Sequence, residues 1–338
     1  MLAQAIVLPF RRRTDRGPVW PHRPVARASG LSRRLPLRVH GHLMLAVGTC
    51  PDDVILDLIH LAGGRGARAV VVPAAAYASA PAGERYRRYL QRFGMQRTET
   101  VDISSRERAQ DPQMAALLAG SDLLVVGGGS PDLLLGVLGG TAAAAGLQAA
   151  LVRGAALVLF GPTAEAAGEW YLPAGGGSAA AAASSPPTAY GAPWTAHAAL
   201  PVRQPEAVPP ALLRPGLGLL PGTLVAAAPI VDGRVALVFA AALTSGVQAL
   251  LLDERSALLV RPGWRAEVRA GTVLAVGGAN PGRRTEPRAR AVEGGSPLGG
   301  VYTRVAPTGW QLDLAAHLVL PPGGGAVVRA GSPLEPGL

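Results

Sequence analysis

The sequence predicts an α/β fold: a doubly wound, mostly parallel sheet with helices on both faces, and a small β-rich part towards the C-terminal end. Three observations predict it. Short, almost continuously apolar runs alternate with segments of helical spacing over residues 43–160, as expected of parallel strands buried on both faces. The chain has 338 residues, 49% hydrophobic and 16% charged, enough to bury a large core in one domain. The stretch 155–170, AALVLFGPTAEAAGEW, drives a buried run into a turn of small residues and then an Ala/Glu-rich helix start. That is the outline of a strand–elbow–helix unit, whose tight turn lifts one side chain above the C-terminal edge of a parallel sheet.

Each element follows from its residues in order. Residues 43–47 read as a buried strand stopped by Gly48, and 52–62 as a helix with Asp52 as a candidate cap. A second strand covers 68–72, and a helix with Arg and Glu on one face covers 83–93. Strand 98–103 and helix 111–119 come next, then strand 123–126 running into Gly127-Gly128-Gly129-Ser130-Pro131. Helices from 131 and over 141–152 lead to the elbow strand, 156–160. Residues 173–210 hold a Gly triplet, an alanine run and Ser184-Ser185-Pro186-Pro187, and read as a low-complexity, flexible insertion. Order resumes with a strand at 223–226, a helix at 234–243 and a strand at 248–252. Beyond 257 the runs are short and β-like, with a flexible loop expected at 281–297 and a disordered tail at 321–338.

Charge is unevenly placed. Nine arginines and a single acid, Asp15, lie within residues 1–39, which accounts for eight of the ten net positive charges and leaves the body nearly neutral. No lysine is present, which reads as a codon-composition bias rather than a selected surface. The Arg/Pro-rich leader, 1–42, is expected to be disordered, and it is the one electrostatic route to nucleic acid. A signal peptide would place charge before its apolar stretch, whereas here residues 3–10 precede the Arg triplet. No uninterrupted run of 18 apolar residues suggests a membrane span. The single cysteine, Cys50, excludes an intrachain disulfide and favours a cytoplasmic location.

Five segments, in this order, resemble the cyanophycinase and dipeptidase E family of serine peptidases. They are the glycine turn 127–129, the elbow 161–167, Gly-Leu-Gly-Leu-Leu-Pro at 216–221, Leu-Asp-Glu-Arg-Ser-Ala at 252–257, and VYTRVAPTGWQLDL at 301–314. The resemblance covers residues 43–320. It implies a flavodoxin-like sheet related to class I glutamine amidotransferases, a peptide or small-molecule ligand, a homodimer, and no cofactor.

Read against that resemblance, the catalytic positions are altered. The family elbow, Gly-Thr-Ser-Ala-Gly-Ala, puts the nucleophile at Thr163 and a glycine at Glu165. A Thr hydroxyl attacks only with a nearby base and an open approach, so Thr163 has both a structural and a catalytic reading. The family's Asp-Gln-His-Phe falls on Ala226-Ala227-Ala228-Pro229, which places Ala228 at the general base. The matching positions for substrate arginines are Asp232, Arg234 and Leu237, leaving Arg234 as the one cation. Ser130 and Arg234 are the implied substrate contacts. Gly128 and Gly129 match the oxyanion turn, which is also ordinary loop chemistry, and Glu254 matches the acid that orients the lost histidine.

Substitutes for the base are scattered: His22, His40, His42, His60, His197 and His317. Cys50 lies after the first strand, near the sheet edge where such folds place their sites, without a neighbour in sequence to lower its pKa. No zinc-spaced cluster, phosphate-binding loop or dinucleotide fingerprint is present. The expected function is a binding or regulatory pseudoenzyme. The alternative is a hydrolase with Thr163 as nucleophile and Glu165 or Glu254 as base. In either case residues 226–229 should line an apolar depression beside Thr163, because charge and bulk have been removed there.

Overall fold

The computed structural model describes residues 39–48, 50–76, 79–127, 129–173, 213–229, 233–245, 247–278 and 301–322. The expectations for the leader, the insertion, the 281–297 loop and the tail therefore fall almost wholly outside the described residues. The described residues fold as an α/β protein with a β-rich C-terminal region.

The first half keeps the expected alternation. It contains β1 (His42–Ala46), α1 (Asp52–Leu61), β2 (Arg68–Val72), α2 (Ser79–Arg92), β3 (Arg97–Thr100), α3 (Arg106–Ala109), α4 (Pro112–Ala119), β4 (Leu123–Val126), α5 (Pro131–Leu138), α6 (Ala142–Arg153) and β5 (Ala156–Phe160). Side-chain caps start four of the helices, the first being Ser105, which accepts from the Arg108 N–H at 3.3 Å at the head of α3. Asp111 accepts from the Gln113 N–H at 2.8 Å, Ser130 from Leu133 at 3.4 Å and Thr141 from Ala144 at 3.4 Å. Proline stands at the first position of α4 and α5, where a missing N–H costs nothing. Asp52 is not a cap: Pro51 holds that place, and Asp52 sits in the first turn, where a carboxylate favours the helix dipole.

Beyond the elbow lie a 3-10 helix (Gly161–Ala167), β6 (Gly168–Tyr171), β7 (Arg214–Pro215), β8 (Leu220–Ala227), α7 (Val235–Ser245), β9 (Gln248–Leu252), β10 (Ala257–Arg261), β11 (Arg265–Ala270), β12 (Thr272–Gly278), β13 (Val301–Pro307), β14 (Gln311–Asp313) and β15 (Leu318–Leu320).

The strands divide between two sheets. One runs β15-β14-β11-β10-β1-β5-β4-β2-β3, the other β13-β12-β9-β8-β6-β7. Strands β1, β5, β4, β2 and β3 form the parallel block of the first, and β6, β8 and β9 that of the second. The division has a length cause. A parallel return to the same sheet needs a crossover of a dozen or more residues, whereas only seven separate β5 from β6. The chain therefore starts a new sheet instead of rejoining the old one.

Alternation along the strands assigns the faces. Leu43 and Leu45 of β1 share a core with Val225, Leu250 and Val273 of the second sheet and with Leu147 of α6. Met44 and Ala46 face the other way, with Val54 and Leu58 of α1 and Leu90 of α2. The outer face of the second sheet packs Leu224, Ala226 and Leu251 against Val238 and Ala242 of α7.

Candidate functional site

The site is built at the C-terminal ends of β5 and β8. Strand β5 lies between β1 and β4 and is buried along its length. Its last residue, Phe160, stacks on Tyr86 with ring centroids 5.5 Å apart, which fixes where the strand stops. Gly161 then turns with φ +67°, a conformation that excludes most side chains. The expected Ala/Glu-rich helix start is a single 3-10 segment that passes straight into β6. At its end Gly168 is required by contact, because a Cβ there would fall 2.6 Å from the Thr223 carbonyl oxygen.

Thr163 is fully buried, and its hydroxyl donates to the Phe160 carbonyl at 2.7 Å. The proton that a nucleophile would hand to a base is thus held by the backbone of the preceding strand. Glu165, two residues on, is 2% exposed. One carboxylate oxygen accepts from Arg234 Nη2 at 2.5 Å and from the Ala227 N–H at 2.9 Å, and the other from Arg234 Nη1 at 3.3 Å. Arg234 is 8% exposed, with longer contacts to the carbonyls of Leu172 (3.5 Å) and Ala227 (3.4 Å). The implied substrate arginine is therefore turned inwards onto Glu165. The reason is electrostatic: a carboxylate in this setting must be paired and hydrogen-bonded to remain charged.

The ion pair also corrects the expected depression. Ala226 and Ala227 are buried, and the charged pair occupies the space beside the elbow. Two small cavities, of about 10 and 20 Å³, instead flank Trp264, near the beginnings of β1 and β8. Ala228 itself has φ +48°, a strained conformation for an L residue, and its N–H donates to the Leu252 carbonyl at 2.8 Å. That bond brings the end of β8 beside the end of β9, and so towards Glu254 in the following turn. Glu254 is exposed, and its carbonyl approaches Gly48 so closely that a Cβ at 48 would fall 2.0 Å away. Asp253 holds this turn, accepting from Ser256 Oγ at 2.7 Å and from the Thr272 N–H at 3.0 Å.

The oxyanion candidates are split: Gly128 lies outside the described residues, and Gly129 is pressed against the turn that follows β2. A Cβ at 129 would fall 2.1 Å from the Ala75 carbonyl oxygen, which accepts from the Ser130 N–H at 3.0 Å. The Ser130 hydroxyl caps α5, so the implied substrate contact has a structural task. Helix α5 packs on the 3-10 segment, which brings this turn to the same edge as Thr163 and Glu165.

Among the described candidates, His42 lies away from the site. His42 pairs with Ala156, at the opposite end of β5 from the elbow, about 13 Å of strand away. Burial and the nearby Arg261 push its pKa down. Burial, with Asp53 and Asp52, pushes the Cys50 thiol up to about 12, which removes its reactivity at neutral pH. His22 and His197 fall outside the described residues. Sequence reasoning missed the Glu165–Arg234 bond and Tyr171. Burial, with Glu165 and Asp132, pushes the phenol of Tyr171 up, so it stays protonated. The available signal was an acid isolated among small apolar residues, which demands a cation from elsewhere in the chain.

Among the described residues no group of three or more His, Cys, Asp or Glu is arranged to hold a metal. No single described helix is long and apolar enough to cross a membrane.

No family model matches the chain. Cyanophycinases of Trichormus variabilis and of a Nostoc species are each 29% identical to it over 149 residues, which is 43% of this chain and 49% of the relative. The chain thus matches about half the length of these curated relatives. The crystal structure of a peptidase from an acI-B1 actinobacterium covers 82% of this chain and 98% of its own, with a TM-score of 0.54 and 16% identity. This last likeness is one of fold.

Proposed function

We propose, for a chain related to the cyanophycinase and dipeptidase E family of serine peptidases, a binding or regulatory role in which the fold is kept without its peptidase chemistry. The observation that carries this reading is the bonding at the elbow. Thr163 is buried with its hydroxyl donated to Phe160, and the neighbouring Glu165 is held by Arg234 and Ala227. An acyl-transfer site needs the opposite arrangement, with an accessible hydroxyl and a base free to take its proton. Ala228, at the position matched to the family base, has no group that moves a proton. A cytoplasmic location fits a chain with one cysteine.

The same bonding supports the inactive reading over one with Thr163 as nucleophile. There Glu165 would have to leave Arg234 and reach the Thr163 hydroxyl. The test is hydrolysis of cyanophycin and of Asp-Xaa dipeptides by the purified full chain. The expected result is turnover at background, unchanged in Thr163→Ala. Efficient turnover that Thr163→Ala abolishes would overturn the proposal in favour of the altered nucleophile.

A further inference from the structure

We infer that Glu165 is a built-in ligand: its carboxylate fills a carboxylate receptor formed by Arg234 and the Ala227 N–H, closing that receptor to acidic ligands from solution. The inference rests on the binding role proposed above and supplies its ligand class and its regulation.

Two guanidinium nitrogens and one backbone N–H converge on a single carboxylate, at 2.5, 3.3 and 2.9 Å. A planar fork with an added N–H is the donor set that recognises carboxylates from any source. Glu165 is not the sole partner of the receptor's guanidinium. Arg234 also contacts the carbonyls of Leu172 and Ala227, which follow β6 and end β8. Those contacts give the guanidinium partners besides the carboxylate.

Glu165, by contrast, arrives on the 3-10 segment, whose hydrogen bonds are poorer than those of a strand or an α-helix. The carrier, though buried, is thus held less tightly by its own backbone than the strands it joins. The receptor lies at the C-terminal ends of parallel strands, where open α/β sheets bind their ligands. Stability alone does not account for it, since apolar residues of similar volume serve a core at least as well as a buried ion pair. The fitting occupant is the terminal carboxylate or acidic side chain of a peptide. It competes with a carboxylate already tethered in the site, so the intact protein binds it weakly until the 3-10 segment moves.

The experiment removes the internal ligand and supplies formate or acetate. In the full chain, Glu165→Ala should lower the Tm by roughly 5 °C or more, because Arg234 loses its counter-charge. Formate and acetate should restore part of that loss saturably, while chloride at equal ionic strength should not. Wild type, and the double variant Glu165→Ala with Arg234→Met, should show no carboxylate-specific gain. An unresponsive Glu165→Ala, an equal response to chloride, or an equal response of wild type or the double variant would overturn the inference. If Glu165→Ala is recovered only from denaturant, its refolding yield becomes the readout. Formate-dependent recovery supports the receptor, and failure independent of formate overturns it. Peptide hydrolysis by wild type would sink the inactive reading and leave this response unchanged, so the two failures are separable.

Discussion

On α2, Glu84 binds Arg87 at 2.6 Å and Arg88 at 2.7 Å on the open surface, whereas at the elbow Glu165 binds Arg234 with side chains only 3% and 10% exposed. The chemical groups are the same and the distances nearly so. On the surface, water replaces either partner when it is lost, and salt screens the attraction. At the elbow bulk water does not take the lost partner's place, so a charge left there alone is costly. Burial, rather than bond length, turns an ion pair into a constraint on the fold.

The largest test of this contrast is Arg234→Met, which leaves Glu165 charged and enclosed. It should cost about 3–5 kcal/mol in urea unfolding, and adding Glu165→Leu should recover most of the loss. A single variant no worse than the double one would break the comparison. Cys50 extends the contrast to a neutral group. Its folded pKa, about 12, lies above the ordinary value of 9.0, so the unfolded chain loses the thiol proton first. Stability is therefore complete below pH 9 and falls as pH rises above it, by about 1.4 kcal/mol at pH 10. Comparing urea midpoints of wild type and Cys50→Ala across that range isolates the thiol; parallel curves would refute the burial effect.

A smaller effect, of opposite sign, is expected beside the ion pair. Ala228→Gly should stabilise by up to about 1 kcal/mol, since glycine adopts the positive φ without strain. A destabilised variant would mean that the Ala228 methyl contributes more by packing than its backbone loses. The smallest effect belongs to α2. Hydrogen bonds from Arg87 and Arg88 hold the Glu84 carboxyl down at about 2. Its contribution is present above the ordinary value of 4.5 and is lost as pH falls towards 2. Because water reaches the group and screens it, Glu84→Gln should leave the urea midpoint at neutral pH unmoved. A drop comparable to that of Arg234→Met would remove the distinction between the two clusters.

The apolar runs alone placed strands 68–72, 123–126, 156–160 and 248–252 with their observed bounds, because strands buried on both faces carry no alternation to blur their ends. The starts of α4 to α6 were legible to within a residue, while the caps at their heads, Asp111, Ser130 and Thr141, are seen in the structure. The division into two sheets was not legible, since an apolar run says that a strand is buried but not against which neighbour. The candidate site was half legible. Residues 226–229 were expected beside Thr163, and the contact that the elbow makes with the end of β8 runs instead through Glu165 and the Ala227 N–H. What closes that meeting is a bond between residues 69 apart, for which no sequence spacing is diagnostic.

The Glu165–Arg234 bond also bears on how this chain can diverge. It ties the segment before β6 to the residue that opens α7, so the alignment of β6 with β8 is set without the chain that runs between Pro173 and Leu213. Gly216 closes the same junction, since a Cβ there would meet the Gly168 carbonyl at 2.2 Å. With the junction fastened on both of its sides, Glu165, Gly168, Gly216 and Arg234 should stay fixed together while the residues around them drift.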